Sequence, residues 1–149
     1  MLTTPHATTG AVIAVLIPIP IVAIPLAIAS HYVLDTIPHW QEVLGPDYRP
    51  TKWTCLRLPV DIVLALSLVY WAATLHPNTA LVIWLSAIAA NLPDLDSLVP
   101  LLPIFLKNKI VKKYWDWHCR IQNETPKPYG IITQFAFVLI GLTLVYLVR

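Results

Sequence analysis

The sequence predicts an all-α fold: a polytopic membrane helix bundle with about five membrane segments and one short interfacial helix. The first observation behind this prediction is composition, because 57% of the 149 residues are hydrophobic and only 12% are charged. The mean hydropathy of +0.67 lies well above that of ordinary soluble domains. The second observation is that proline-rich or polar turns divide the apolar residues into helix-sized runs. The length is that of one domain, so residues 1–149 are expected to form a single membrane-embedded unit.

The first two segments are expected to form a pair of helices. Thr4 followed by Pro5 favours a helix start, because a hydroxyl can cap the helix and proline suits its first position. The prolines of Ile17-Pro18-Ile19-Pro20 predict a break, after which a second helix runs over residues 20–37. The alternative is one kinked span through residues 10–30. The small residues that would let another helix approach the first one closely are Ala7, Gly10, Ala11 and Ala14.

The rest of the chain supplies three more apolar segments and the interfacial helix. The fourth segment is shorter than the roughly 20 residues that a full crossing needs. In chain order, the predicted elements are a polar connection over residues 38–57, a third segment from Leu58 to Leu75, a turn over 76–79, a fourth segment from Ala80 to Asn91, a proline-broken apolar patch over 98–106, an interfacial helix from Tyr114 to Glu124 and a last span from Tyr129 to Val148.

The distribution of positive charge predicts how the chain sits in the membrane. Five crossings place nine of the ten Lys and Arg residues on one side. The positive-inside rule makes that side cytoplasmic, in a multi-pass protein of the inner (plasma) membrane. Every candidate metal ligand except His76 falls on the same side. The nine positive residues are Arg49, Lys52, Arg57, Lys107, Lys109, Lys112, Lys113, Arg120 and Lys127.

The segment that ends the second helix carries the main metal-binding pattern. His31, Asp35 and His39 are spaced by four residues, so on a helix they would lie on one face. Imidazole and carboxylate are ligands of zinc and related divalent ions. Pro38 ends the helix early, so His39 is expected to approach from a turn. The alternative for either histidine alone is an interfacial hydrogen-bonding group.

Further candidate ligands lie on the same predicted side. Asp94 and Asp96 are two residues apart, and in an extended stretch both carboxylates would face the same way. His118 and Gln122 share one face of the interfacial helix, and His6 lies at the start of the first helix. The alternative for the two aspartates is an exposed turn. The alternative for each histidine is a polar side chain that binds no metal. Asp61 is expected either to pair with Arg57 or to support a metal site.

Together these residues predict a multinuclear site that hydrolyses a phosphoester. Divalent ions, zinc above all and two or three in number, lower the pKa of a bound water and neutralise phosphate charge. A site at headgroup depth favours a phospholipid or lipid-linked phosphate as substrate, and a nucleic-acid partner is not expected. The predicted metal ligands are His6, His31, Asp35, His39, Asp94, Asp96 and His118. The predicted catalytic residues are Asp35, Asp96 and Glu124, as candidate general bases, and Arg120, as a phosphate-binding group.

The motifs also resemble a known family. Thr-Pro-His6, His31-x3-Asp35-x2-Pro-His39, Pro-Asp94-x-Asp96 and the late His118 resemble the small bacterial inner-membrane metal-dependent hydrolases. More distantly, the HxxxD element is similar to that of the zinc-dependent phospholipase C and S1/P1 nuclease group. The resemblance implies hydrolase activity. Gln122 stands where the phospholipase group has a glutamate, and an amide oxygen is the poorer ligand.

A non-enzymatic function is the alternative. The same ligands would serve a metal-binding subunit of an ion transport or sensing system. The two functions differ in whether the ligands ring a pocket open to the cytoplasm or continue into the bundle.

Overall fold

The computed structural model describes residues 1–41, 51–101 and 103–149, with the side chains of all of these except 98–101, 103 and 106. The described chain is helical, which confirms the all-α prediction, and its one β-bridge joins His39 and Glu124. The helices are α1 (Thr3–Leu16), α2 (Pro20–Asp35), α3 (Lys52–Leu75), α4 (Ala80–Ala89), α5 (Pro103–Leu106), α6 (Lys109–Ile121) and α7 (Lys127–Leu147), with 3-10 turns at Pro77–Thr79 and Leu92–Leu101. Residues 42–50 of the predicted polar connection lie outside the described residues.

Proline sets the division between the first two helices. α1 ends at Leu16 and α2 begins at Pro20, so the alternative of one kinked span is wrong. Proline suits the start of α2 because its missing N–H has no partner there in any helix. α3 begins earlier than the apolar run, because Thr51 and Thr54 cap each other's backbone N–H groups. α6 likewise begins early, because Asn108 Oδ1 accepts from the N–H groups of Ile110 and Val111.

α1 is the central helix of the bundle. It packs against α2, α3, α4 and α7. Its small residues face these neighbours: Ala11 is 2% exposed and Ala14 is fully buried. A Cβ atom at Gly10 would lie 2.5 Å from the carbonyl oxygen of Ser86, so only glycine allows α4 to approach this closely. The close helix packing expected from the small residues is therefore present.

Within the described ranges two helices, α3 and α7, are long and apolar enough to cross a membrane, fewer than the five segments predicted. α1, α2 and α4 contain 14, 16 and 10 residues. At about 1.5 Å per residue they measure about 21, 24 and 15 Å, less than the roughly 30 Å of a bilayer core. Only 22% of the most apolar window of α3 and of α7 is buried inside the chain. These two helices therefore direct most of their apolar surface outward.

One end of the bundle collects the polar connections. The segments that follow α2 and α6 pair there: the Asn123 N–H donates to Asp35 O, the His39 N–H donates to Asn123 O, and the Thr125 N–H donates to His39 O. At the opposite end His76 Nε2 donates to Val145 O, which ties the end of α3 to the end of α7. The first end carries the candidate site.

Candidate metal centre

Four side chains converge at this end of the bundle. His31, Asp35, Asp94 and His118 each offer a ligand atom, and these atoms all lie within 4.8 Å of one another. His31 Nε2 lies 3.1 Å from Asp35 Oδ2, 3.5 Å from Asp94 Oδ1 and 3.2 Å from His118 Nε2. The cluster joins α2, the 3-10 turn after α4, and α6. It is an arrangement that could hold a divalent cation.

The cluster is buried except on one side. His31, Asp35 and His118 are at most 1% exposed, whereas the Asp94 side chain is 35% exposed. The 3-10 turn changes the role expected for the two nearby aspartates. With three residues per turn, side chains two apart point in different directions, unlike those of the extended stretch that was expected. Asp94 therefore faces His31, while Asp96 reaches His118 from another side.

Two histidines are oriented by backbone carbonyls. His31 Nδ1 lies 2.7 Å from Ala90 O, and His39 Nδ1 lies 2.8 Å from Ile37 O. A carbonyl accepts only, so each Nδ1 donates to the backbone and each Nε2 points away from that carbonyl, the orientation typical of metal-binding histidines. Burial lowers the pKa of His39, which keeps its imidazole neutral. His39 Nε2 is buried and has no hydrogen-bond partner among the described residues.

The carboxylate of Asp35 faces two groups of neighbours. Oδ2 lies 3.1 Å from His31 Nε2 and 3.1 Å from His118 Nε2. Oδ1 lies 3.3 Å from His6 Nε2 and accepts a 2.8 Å hydrogen bond from the Met1 backbone nitrogen. Each oxygen of Asp35 thus points to a different set of nitrogen atoms.

His6 belongs to the second of these groups. Its ring stacks on that of His31 with centroids 4.0 Å apart, and its side chain is fully buried. Although Nε2 is near Asp35, the contact is not aligned as a hydrogen bond, and Nδ1 also lacks a partner among the described residues. A fully buried imidazole without hydrogen bonds is costly, and a cation bound at one nitrogen would offset part of that cost.

His118 lies between two carboxylates. Nε2 is 3.1 Å from Asp35 Oδ2, and Nδ1 is 2.6 Å from Asp96 Oδ2. Burial alone would lower the pKa of His118, but the hydrogen bonds to Asp35 and Asp96 outweigh it and raise the pKa to about 9. The surroundings therefore favour positive charge at this point, which a bound cation would also supply.

Two predicted catalytic residues lie apart from the four converging side chains. Arg120 is exposed and its Nε donates to Asp116 O. It follows His118 by two residues, about 200° around α6, so the two side chains leave the helix in nearly opposite directions. Glu124 is exposed and accepts a 2.5 Å hydrogen bond from Gln41 Nε2. Gln122 also accepts from Gln41 Nε2, at 2.6 Å.

Sequence reasoning singled out Asp61 but did not predict that it holds the start of α1, and it missed Gln134. Asp61 accepts hydrogen bonds from the N–H groups of Thr3 and Thr4, at 2.6 and 3.2 Å, and from the Thr4 hydroxyl at 2.6 Å. Gln134 accepts from the Leu2 N–H at 2.8 Å and donates to Trp40 O at 2.7 Å. The signal was a carboxylate or amide side chain within an apolar run of each helix, which is expensive in a membrane unless it has partners.

Comparisons of the chain with protein-family models, with curated proteins and with solved structures found no match. The resemblance to the metal-dependent hydrolases therefore stays a prediction. The donor set itself, imidazole nitrogens and carboxylate oxygens with two buried histidines that present unpartnered nitrogens, fits a divalent cation such as zinc.

Proposed function

We propose that this protein is a membrane-bound, metal-dependent hydrolase of phosphoesters, with a phospholipid or lipid-linked phosphate as substrate. The observation that carries the proposal is the convergence of His31, Asp35, Asp94 and His118, of which the first, second and fourth are buried and Asp94 is partly exposed. A site that serves only to hold a metal usually closes all its positions, whereas a catalytic one keeps one accessible.

The membrane setting rests on the outward-facing apolar surface. Exposed apolar side chains cover the outer faces of α3 and α7, among them Val63, Leu66, Phe135 and Leu139. Water-soluble proteins rarely expose so large a contiguous apolar surface. In the proposed topology α3 and α7 cross the bilayer, and the shorter α1 packs against both of them within it. α4 packs against α1 and α3, α2 packs against α1 and α4, and the site faces the cytoplasm of an inner-membrane protein.

The proposed ligands form two groups, one around each carboxylate oxygen of Asp35. His31, His118, Asp94 and Asp35 Oδ2 would hold one ion, and His6 and Asp35 Oδ1 a second, with the buried Nε2 of His39 as a further donor. When bound, such ions supply Lewis-acid chemistry: they lower the pKa of a water molecule and neutralise phosphate charge. Asp96 holds the His118 ring, and Asp94 is the carboxylate nearest the open side.

The alternative, a metal-binding subunit for ion transport or sensing, calls for ligands that continue through the bundle. Among the described residues, Asp61 and Asn91 are polar groups that could extend such a path inward. The Asp61 carboxylate accepts a hydrogen bond from the Thr3 N–H at the start of α1, and Asn91 Nδ2 donates to Ala87 O. Deeper in the described bundle the core is formed by residues such as Ala14, Val69 and Ile83. The geometry therefore favours the hydrolase.

A turnover assay with metal analysis tests the proposal. We expect the purified full-length chain to contain stoichiometric zinc or another divalent metal by elemental analysis. We also expect it to hydrolyse phosphatidic acid or a phosphodiester lipid, with activity that a chelator abolishes and added metal restores. Asp35→Asn should remove both bound metal and turnover.

Asp116→Asn is the matched control. Asp116 lies on α6 near the site, but its carboxylate pairs with Lys112 at the surface, so metal content and turnover should be unchanged. Metal binding without turnover on any phosphoester lipid would favour the carrier, and protein with no bound metal would contradict both functions.

A further inference from the structure

A groove runs along the outside of the bundle between α1, α3 and α4. It encloses about 250 Å³ and is lined almost entirely by apolar side chains. Ile62, Leu66 and Val69 form the α3 wall, and Trp84 and Ile88 form the α4 wall. At 1.5 Å per residue these positions cover roughly 10 Å along α3 and roughly 6 Å along α4.

The groove is open to the side. Leu66 and Ile88 are 50% and 54% exposed, although both line it. Its floor is made of small buried residues, Ala7, Ala65 and Ala87. An apolar groove that encloses about 250 Å³ suits one extended chain rather than a helix, which measures about 10–12 Å across.

One end of the groove lies beside the four converging side chains of the candidate metal centre. Leu92 and Leu95 line it from the same turn that carries Asp94. Ala7 follows His6 directly, and Asn91 follows Ala90, whose carbonyl orients His31. At this end Asn91 Oδ1 is buried and has no hydrogen-bond partner among the described residues. The surface therefore changes from apolar to ligand-rich over one or two residues.

We propose that this groove holds one hydrocarbon chain of the lipid substrate, with the phosphate of that lipid at the cluster of His31, Asp35, Asp94 and His118. The inference rests on the proposed function. It specifies the substrate as an amphiphile whose phosphate and hydrocarbon chain are both bound by the protein. The divalent cations that the cluster would hold complement an anionic phosphate, and the uncharged groove complements an alkyl tail. Because the groove opens on the outer face of α3, the tail enters from the bilayer without leaving apolar surroundings.

If the groove binds the hydrocarbon chain of the substrate, activity should depend on the length of that chain. We expect 4-nitrophenyl phosphodiesters with a butyl, octyl or dodecyl chain to be hydrolysed with kcat/KM rising about tenfold or more from butyl to octyl, then levelling off as the chain outgrows the groove. Leu66→Trp should fill the groove and flatten this rise. Leu64→Trp is the matched control, since Leu64 is 49% exposed on the same helix and does not line the groove. Ile88→Trp is the replacement should Leu66→Trp not fold.

A binding measurement separates the groove from the hydrolysis. We expect a bromododecyl phosphate to quench the fluorescence of Trp84 in the chelator-treated protein, and Trp84→Phe to lose that part of the quenching. Quenching at Trp84 without hydrolysis would support the groove and contradict the proposed function. Hydrolysis with the same chain-length profile in Leu66→Trp and Leu64→Trp, or quenching that Trp84→Phe leaves unchanged, would overturn the groove and leave the hydrolase standing.

Discussion

At the scale of the residue, Asp96 contacts the candidate metal-binding group without being one of its four converging side chains. Its carboxylate accepts from His118 Nδ1 at 2.6 Å, on the side of the ring away from the nitrogen that faces Asp35. The sequence predicted it as a ligand because Asp94 and Asp96 share the short spacing typical of paired carboxylates. The structure places it behind His118, where it fixes the ring orientation and raises the basicity of the imidazole.

Asp96→Asn is therefore expected to weaken zinc binding about 10–100-fold without removing it. The amide keeps the size of the side chain but loses the charge that favours positive charge at His118. Competition with a chromophoric chelator measures the affinity. Asp116→Asn, which alters an exposed pair on the same helix, should leave it unchanged. Complete loss of zinc binding would instead make Asp96 a direct ligand.

At the scale of the element, α1 brings His6 to the site only because its first turn is held by another helix. The first N–H groups of any helix lack partners inside it. Here the N–H groups of Thr3 and Thr4 donate to the carboxylate of Asp61 on α3, a residue that is 8% exposed. A carboxylate within an apolar helix thus caps its neighbour.

Asp61→Ala is expected to lower the free energy of unfolding by about 1–3 kcal/mol, because it leaves buried donors unsatisfied. Denaturant unfolding in detergent, followed by circular dichroism, measures the change. Ser67→Ala is the control on the same helix: its exposed hydroxyl donates only to Val63 O, so its effect should stay within about 0.5 kcal/mol. Equal unfolding free energies for the two variants would show that the cap does not stabilise α1.

At the scale of the whole molecule, the two ends of the bundle differ in chemistry. The converging side chains of His31, Asp35, Asp94 and His118 lie at one end together with α6. The Pro77–Thr79 turn lies at the other end, next to the end of α7. If α3 and α7 cross the bilayer, these ends face different compartments.

Labelling with a membrane-impermeant maleimide tests that topology. In intact spheroplasts we expect Asn78→Cys, in a chain with Cys55→Ala and Cys119→Ala, to react at the exposed turn. Native Cys119 in a Cys55→Ala chain should react only after the membrane is permeabilised. Reaction of both positions in intact spheroplasts would contradict the proposed orientation.

Much of the fold could be read from local pattern. The break at Pro18 and Pro20, the apolar segments and the small residues of α1 follow from properties of neighbouring residues, and they fix the helices to within a few positions. Helix starts were less accurate where a polar cap precedes the apolar run, as at Thr51 and Asn108. The expected number of membrane crossings was too high because apolar character indicates burial in lipid or in protein equally well.

The sequence by itself determined that the chain is helical, apolar and supplied with His and Asp residues near helix ends. Only the tertiary structure decided which of them meet: His118 contacts Asp35 across 83 positions of sequence, and the turn after α4 sends Asp94 and Asp96 to different partners. The reason is physical. Helix formation depends on interactions within a few residues, whereas the position of a ligand atom depends on how separate helices pack, and that packing is set by long-range contacts such as Gly10 against Ser86.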